Sequence, residues 1–124
     1  RMALHVVAQA PADFATWLAA QAQPAADPTT AQAMRGREAF LANRCNACHT
    51  VRGVSEESRL GPDLTHIGSR PSLGAGTLPN DQQHLAQWIA NTQQHKPGAR
   101  MPSSGERIDA ATLESIAAWL SDLR

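Results

Sequence analysis

Both cysteines of the chain lie in one five-residue segment, Cys45-Asn46-Ala47-Cys48-His49, which constrains the fold more than any other feature. The C-x-x-C-H spacing is typical of c-type haem attachment. Two thiols separated by two residues can each add to a vinyl group of one porphyrin, which forms two thioether bonds. The adjacent His49 then lies beneath the ring and offers an imidazole nitrogen to the iron. The motif therefore predicts a chain that folds around one covalently bound haem.

Three other interpretations of the cysteine pair are open, but each explains less of the motif. A thioredoxin-like redox motif occurs in a strand–helix–strand context, whereas this motif follows a predicted helix and precedes loops. A structural zinc site needs a second Cys/His pair, which His66, His84 and His95 do not form. A disulfide across two residues would be strained and would leave His49 without a role.

Hydrophobic periodicity predicts an all-α domain with long loops after the first 28 residues. Apolar spacing predicts three helices there, over residues 33–43, 82–92 and 110–123. Asn80 or Asp81 is a suitable cap for the second helix, and Asp109 for the third. Residues 55–80 are rich in Gly, Pro and Ser and predict loops with at most short turns. Long loops in a small domain usually surround something, which agrees with a bound haem.

The N-terminal part of the chain has a different character. Residues 3–9 predict a short strand, and residues 13–21 predict a helix that Asp13 could cap. Residues 22–32 are rich in Ala, Pro and Thr without periodicity, which is typical of a flexible linker. We therefore predict a boundary near residue 28, with the main domain over residues 29–124.

Charge and hydropathy exclude several classes of protein. The chain has 11 basic and 11 acidic residues and no basic cluster, which disfavours a nucleic-acid binder. No run of 18 apolar residues occurs, so no membrane-spanning segment is predicted. The sequence lacks the charged start and following apolar stretch of a signal peptide, so no signal peptide is predicted. Because the sequence begins at Arg1, we expect it to be processed or cut from a longer protein.

The haem iron would need a second axial ligand opposite His49. The candidates are Met34, Met101, His66, His84 and His95. Met101 lies in a loop bounded by Pro and Gly, where no helical stripe would bury it, so iron ligation explains it best. Met34 lies on a predicted helix and is expected to pack in the core, and the three histidines are expected to be solvated. Met/His ligation fills both axial positions and raises the reduction potential, so it predicts electron transfer rather than catalysis.

Several segments of residues 33–124 resemble segments of one known protein family. Gly36 and Phe40 match the first-helix pattern of a known family, in which a glycine lets the closing helix cross closely, and Trp119 stands where that family carries an aromatic residue on the closing helix. Gly61-Pro62-Asp63-Leu64 is similar to a loop whose proline carbonyl accepts the N–H of the haem histidine. Lys96-Pro97-Gly98 with Met101-Pro102 is similar to a methionine-ligand loop. In these segments the chain resembles a class I cytochrome c, which implies that fold and a role for Pro62 in orienting the histidine.

A narrower resemblance concerns four further segments. Residues 68–70 (GSR), 76–80 (GTLPN) and Trp88-Ile89 are similar to the haem domain fused to the C-terminus of subunit II of bacterial caa-type cytochrome c oxidases. Residues 2–18 resemble the last strand and exit helix of that subunit's dinuclear-copper domain, with Met2 at the position of the final copper ligand. The family's cysteine and histidine copper ligands lie upstream, so this chain is expected to bind no copper, and Met2 would be a relic.

This resemblance implies a one-electron relay from a donor, such as a cytochrome c or another small redox protein, to the dinuclear copper centre of the parent oxidase. Arg70 and Trp88 would face the haem propionates. The domain would be an electron carrier and not itself an enzyme, within a proton-pumping oxidase. Because c-type haem is attached outside the cytoplasm, it would lie at the periplasmic or outer face of the bacterial cell membrane, tethered through the parent protein.

Two alternatives remain at this point. A freestanding periplasmic cytochrome c would share the haem chemistry, and residues 1–22 would then be only a disordered leader. A haem sensor or peroxidase would need an open or displaceable sixth position on the iron. A strand and helix at the N-terminus with an exposed apolar side would favour the fused domain.

Overall fold

The computed structural model describes residues 5–56 and 58–124, and within them the chain is mainly helical. The helices are α1 (Pro11–Gln21), α2 (Ala31–Ala42), α3 (Gln82–His95) and α4 (Ala110–Asp122). Two short strands, β1 (Ser72–Leu73) and β2 (Leu78–Pro79), form an antiparallel pair with Ser72 opposite Pro79. Short 3-10 turns occupy Cys45–Ala47 and Ile67–Ser69. The all-α prediction is confirmed, but the β-hairpin was missed because two-residue strands are too short to show alternation.

Capping side chains fix where the main helices begin. Asp81 and Asp109 cap α3 and α4 as predicted, each accepting a backbone N–H three residues ahead at 2.9 Å. Helix α2 begins at Ala31, earlier than its apolar spacing suggests, because the Thr30 hydroxyl accepts the N–H of Ala33 at 3.1 Å. These side chains satisfy backbone donors that have no partner within the first turn.

Helix α4 packs mainly against α2, and Gly36 makes this close crossing feasible. A Cβ atom at position 36 would lie 2.0 Å from the carbonyl oxygen of Ser115 and 2.9 Å from the Cβ of Trp119. Beside the crossing, the fully buried rings of Phe40 and Trp119 meet edge to face, with centroids 5.1 Å apart. The crossing that the family resemblance implies is therefore present, and it buries the two largest side chains of the core.

Met34 lies outside the core, so the prediction that it packs there is wrong. The buried stripe of α2 consists of Ala33, Gly36 and Phe40, spaced three and four residues apart. Met34 comes directly after Ala33 in the sequence, so its side chain lies beside the buried stripe rather than in it, and it is 49% exposed. The direction of the glycine crossing, rather than the hydrophobicity of each residue, decides which face of α2 is buried.

The predicted N-terminal strand is not formed in its described part. Residues 5–10 form neither strand nor helix, and Val6 and Val7 are 84% and 78% exposed. A strand is stable only when a neighbouring strand or helix packs on it, and this segment has none in the described part of the chain. Met2 lies outside the described residues.

Helix α1 is present and begins at Pro11 rather than after a cap at Asp13. Proline suits a first helical position because it lacks the N–H that would be unpaired there. No residue of α1 is buried, and Phe14, Trp17 and Leu18 are each about half exposed. We call these three side chains the α1 apolar face. Neither α1 nor any other helix in residues 5–56 and 58–124 has the length and apolarity needed to cross a bilayer.

The linker is attached to the main domain, although its composition predicts a flexible segment. Arg52 Nη2 donates to the carbonyl of Gln21 at 2.6 Å, and the Ala25 N–H donates to the carbonyl of Arg52 at 2.9 Å. His66, which was expected to be solvated, lies with Nε2 3.1 Å from the carbonyl of Gln23. We call these contacts of Arg52 and His66 with residues 21–25 the tether clamp.

Candidate functional site

The C-x-x-C-H motif lies in a tight turn that follows α2. Arg44 adopts a left-handed backbone conformation with φ of 58°, which redirects the chain into the 3-10 turn. The N–H groups of Cys48 and His49 donate to the carbonyl of Cys45 at 3.1 and 3.0 Å. Cys45 is half-buried against the core, whereas Cys48 is exposed, and both thiols are free. The turn therefore presents both thiols and the imidazole within a single short segment.

A second loop holds the imidazole of His49. Its Nδ1 lies 2.8 Å from the carbonyl oxygen of Pro62, the contact that the resemblance predicts. Because a carbonyl can only accept, Nδ1 carries the proton, and Nε2 keeps its lone pair for a metal. A Cβ atom at Gly61 would lie 2.7 Å from His49 Cε1. Glycine at this position therefore allows the loop to approach the ring closely enough to form the hydrogen bond.

The environment of Cys45 differs from that of a redox-active cysteine. Burial raises the pKa of the Cys45 thiol, whereas the nucleophile of a redox C-x-x-C motif has a lowered pKa. In the two described stretches, no three His, Cys, Asp or Glu side chains gather into a metal-binding group.

Charged side chains stabilise the loop beside Pro62. Arg70 Nη2 donates to the carbonyl of Asp63 at 2.7 Å, and Arg52 Nε lies 3.8 Å from the Asp63 carboxylate. Partial burial favours the neutral acid, but hydrogen bonds from Thr65 and the charges of Arg52 and Arg70 hold the pKa of Asp63 below its ordinary value. The ionised carboxylate therefore fixes the loop next to the histidine's partner.

Trp88 and Met101 lie beside the same core as Cys45. All three side chains are half-buried and pack against the main hydrophobic cluster. Trp88 also contacts the β-hairpin, because a Cβ atom at Gly74 would lie 2.7 Å from its ring. Each of these three residues, which the sequence singles out for a haem site, thus packs against the same hydrophobic cluster.

Two of the other ligand candidates have different partners. His84 Nδ1 lies 2.7 Å from the carboxylate of Asp81, so this ring completes the cap of α3. Besides its contact in the tether clamp, His66 lies with Nδ1 3.0 Å from the carbonyl of Arg124. The prediction that His66 and His84 are solvated is therefore wrong, because both rings bond to other parts of the protein. His95 is half-buried in the last turn of α3.

Sequence reasoning missed Arg52 and Gln93. Arg52 connects the linker to the loop that holds His49, and Gln93 bonds the loop that carries Met101. Both partners are backbone carbonyls, which every residue possesses. An arginine in a polar loop and a glutamine on a helix surface therefore give no signal of spacing or hydropathy that would distinguish them from solvated side chains.

Comparison with known proteins supplies independent evidence. The family model for cytochrome c matches residues 33–124. The chain is 30% identical over 112 residues to cytochrome c oxidase subunit 2 of Alkalihalophilus pseudofirmus, an alignment that covers 90% of this chain and 32% of that protein. It is 24% identical over 90 residues to cytochrome c oxidase subunit 2 of Bacillus sp. strain PS3, covering 70% of this chain and 25% of that protein. The chain thus spans no more than a third of the length of these curated relatives. The first alignment covers nine-tenths of the chain and so extends into the segment before residue 33.

Proposed function

Because the chain belongs to the cytochrome c family, we propose that it is the electron-transfer haem domain of a cytochrome c oxidase subunit II. It would pass single electrons from a donor protein to the dinuclear copper centre of the parent oxidase. The observation that carries the proposal is the hydrogen bond from His49 Nδ1 to Pro62, beside two free thiols. This arrangement leaves the Nε2 lone pair of His49 free to bind a metal and the two thiols available for covalent attachment.

The residues present fit a covalently bound haem. Cys45 and Cys48 would form the thioethers, and His49 and Met101 would bind the iron. The bound haem supplies an iron that gains and loses one electron. The neutral, polarisable thioether stabilises the ferrous state, and the Pro62 carbonyl fixes the ring orientation of His49 and raises its basicity.

Arg70 and Trp88 are assigned to the haem propionates. Arg70 uses one terminal nitrogen for the carbonyl of Asp63, and a guanidinium has five N–H donors, so others remain for a carboxylate. The indole N–H of Trp88 is a donor of the same kind. These contacts would hold the porphyrin at its polar edge, while the thioethers hold the opposite edge.

The N-terminal segment supports the fused arrangement over a freestanding carrier. The segment is not merely a disordered leader, because α1 is a regular helix and the tether clamp holds its C-terminal end. The α1 apolar face is half exposed, as expected of a helix that another domain covers in the complete protein. The alignment with the first oxidase subunit also includes part of this segment.

The partners and location follow from this assignment. The domain would lie at the periplasmic or outer face of the cell membrane, since c-type haem is attached outside the cytoplasm. It would belong to a proton-pumping oxidase complex in which its own part is electron carriage. We propose that the copper ligands belong to the preceding domain and that this segment holds iron alone.

The covalent attachment has a direct test. A chain with both Cys45→Ser and Cys48→Ser, expressed with the haem-attachment machinery, is expected to retain no pigment after denaturation and acid–acetone extraction, because serine cannot form a thioether. The unaltered chain should keep one haem per polypeptide, with one iron and no copper by metal analysis. Release of all haem from the unaltered chain by extraction would contradict the proposal.

The fused arrangement is tested on the native polypeptide. When it is isolated from its own membranes, mass spectrometry is expected to show a chain substantially longer than this one, carrying haem c and dinuclear copper together. The chain spans about a third of the first relative's length, which leaves room for a preceding copper domain. A native polypeptide that starts near residue 1 and carries haem alone would instead identify a freestanding cytochrome c.

A further inference from the structure

One side chain holds the loop that carries Met101. We call residues 97–103 the methionine loop. Gln93 Nε2 donates to the carbonyl of Ala99 at 2.7 Å and to the carbonyl of Met101 at 2.8 Å. Its Oε1 accepts the N–H of Gly98 at 3.2 Å. The primary amide of Gln93 thus uses both of its N–H groups and its oxygen on three residues of one loop.

A kink in α3 brings Gln93 to this loop. Asn91 has non-helical backbone angles, with φ of −131° and ψ of 39°. The adjacent Thr92 is fully buried, and its hydroxyl donates to the carbonyl of Trp88 at 2.6 Å, a contact that bends helices. Beyond the kink, the backbone N–H of Gln93 donates to Ser103 Oγ at 3.1 Å. The last turn of α3 is therefore turned toward the methionine loop and bonded to it.

Other side chains of the protein make few packing contacts with the same loop. Pro97, Gly98, Arg100 and Pro102 are exposed, and a Cβ atom at Gly98 would meet nothing within 4 Å. Only the side chain of Met101 reaches the hydrophobic cluster. Among protein contacts, the three hydrogen bonds of the Gln93 side chain and the bond from the Ala99 N–H to the carbonyl of Lys96 at 3.1 Å therefore hold the backbone of this loop.

We propose that Gln93 is a positioning residue that holds the Met101 sulfur on the haem iron. The inference rests on the proposed function, in which Met101 is the sixth ligand. One of the two carbonyls bound by the amide belongs to Met101 itself, so Gln93 fixes the backbone atoms from which the thioether extends. Without the amide, the loop opens more often, and the sulfur leaves the iron in a larger fraction of molecules.

Loss of the Gln93 hydrogen bonds is expected to change how well an external ligand competes with Met101 for the iron. An external ligand can bind only when the methionine loop is open, so its apparent affinity rises with the open fraction. Each hydrogen bond lost shifts such an equilibrium by roughly two- to tenfold. Gln93→Glu keeps the size and one acceptor but replaces both donated bonds with repulsion between oxygens. We therefore expect imidazole to bind about tenfold more tightly to this variant.

The experiment titrates imidazole into the ferric, haem-loaded chain and follows the methionine-to-iron charge-transfer band. The matched control is Gln94→Glu, which places the same charge on the neighbouring exposed residue of α3. An apolar variant, Gln93→Met, removes the amide without adding charge and is also expected to bind imidazole more tightly. Thermal unfolding of all three variants is recorded to separate local opening of the loop from global destabilisation.

The outcomes distinguish this inference from the function on which it rests. Tighter imidazole binding in both Gln93 variants, with an unchanged affinity in Gln94→Glu, supports the positioning role. Equal affinity in all variants, with the charge-transfer band present in the unaltered protein, overturns the role of Gln93 and leaves ligation by Met101 intact. Absence of the band in the unaltered protein refutes Met101 ligation, and the inference with it.

Discussion

Gly36→Ala is expected to destabilise the haem-loaded chain by about 3 kcal/mol or more, although alanine favours a helix over glycine by about 1 kcal/mol. The added methyl group would lie 2.0 Å from the carbonyl oxygen of Ser115. Because that oxygen belongs to the backbone, no side-chain rotation relieves the overlap. Helices α2 and α4 must move apart, which also loosens the contact of Phe40 with Trp119.

Denaturant unfolding of the haem-loaded chain measures this effect. Glu38→Ala is the matched control, because Glu38 is an exposed residue on the same helix, and such substitutions usually change stability by less than about 0.5 kcal/mol. An unfolding midpoint for Gly36→Ala that equals that of the unaltered chain would show that the two helices do not cross at this glycine.

Met101→His is expected to leave a low-spin haem but to lower its reduction potential by a few tenths of a volt. Axial ligands change haem reduction potentials over a range of about 0.8 V, and exchange of one ligand is expected to use a part of that range. Imidazole donates more strongly than a thioether, so it stabilises ferric iron and makes reduction harder. The substitution therefore separates ligation by Met101 from a purely packing role against the hydrophobic cluster.

Met34→His provides the control for this measurement. Met34 is 49% exposed on α2, so the same substitution there should leave the potential nearly unchanged. Redox titration followed by visible absorbance gives both values. If the two variants have the same potential as the unaltered protein, Met101 is not the ligand. Rapid carbon monoxide binding by the unaltered reduced protein would favour a sensor or peroxidase instead.

The parts of the fold that could be predicted depend on local chemistry. Asp81 and Asp109 cap their helices because a carboxylate three residues before a backbone N–H can bond it wherever the helix lies. Met34 was placed wrongly because its burial depends on where α4 crosses α2, which periodicity on a single helix does not specify. The prediction of a strand before α1 was wrong for a related reason. A strand needs a neighbouring strand or helix, and the sequence pattern does not show whether one is present.

The residues of the candidate site also differ in how far local sequence predicts them. The roles assigned to Cys45, Cys48 and His49 rest on five adjacent residues, so spacing alone predicts them. The Pro62 carbonyl came from a family resemblance, because a carbonyl oxygen has no signature of its own in a sequence. Gln93 had no comparable signal, since its three bonds exist only after the kink at Asn91 has turned it toward the methionine loop.

The tether clamp changes how the haem domain would reach its acceptor. A flexible connection lets a domain search a volume set by linker length, and rates then depend on how often the two centres meet. Arg52 instead bonds the end of α1 and also contacts Asp63, next to the carbonyl that orients His49. In the fused arrangement proposed above, the C-terminal end of α1 would be held against the loop beside His49, so the flexible part of the connection would lie before α1 rather than after it.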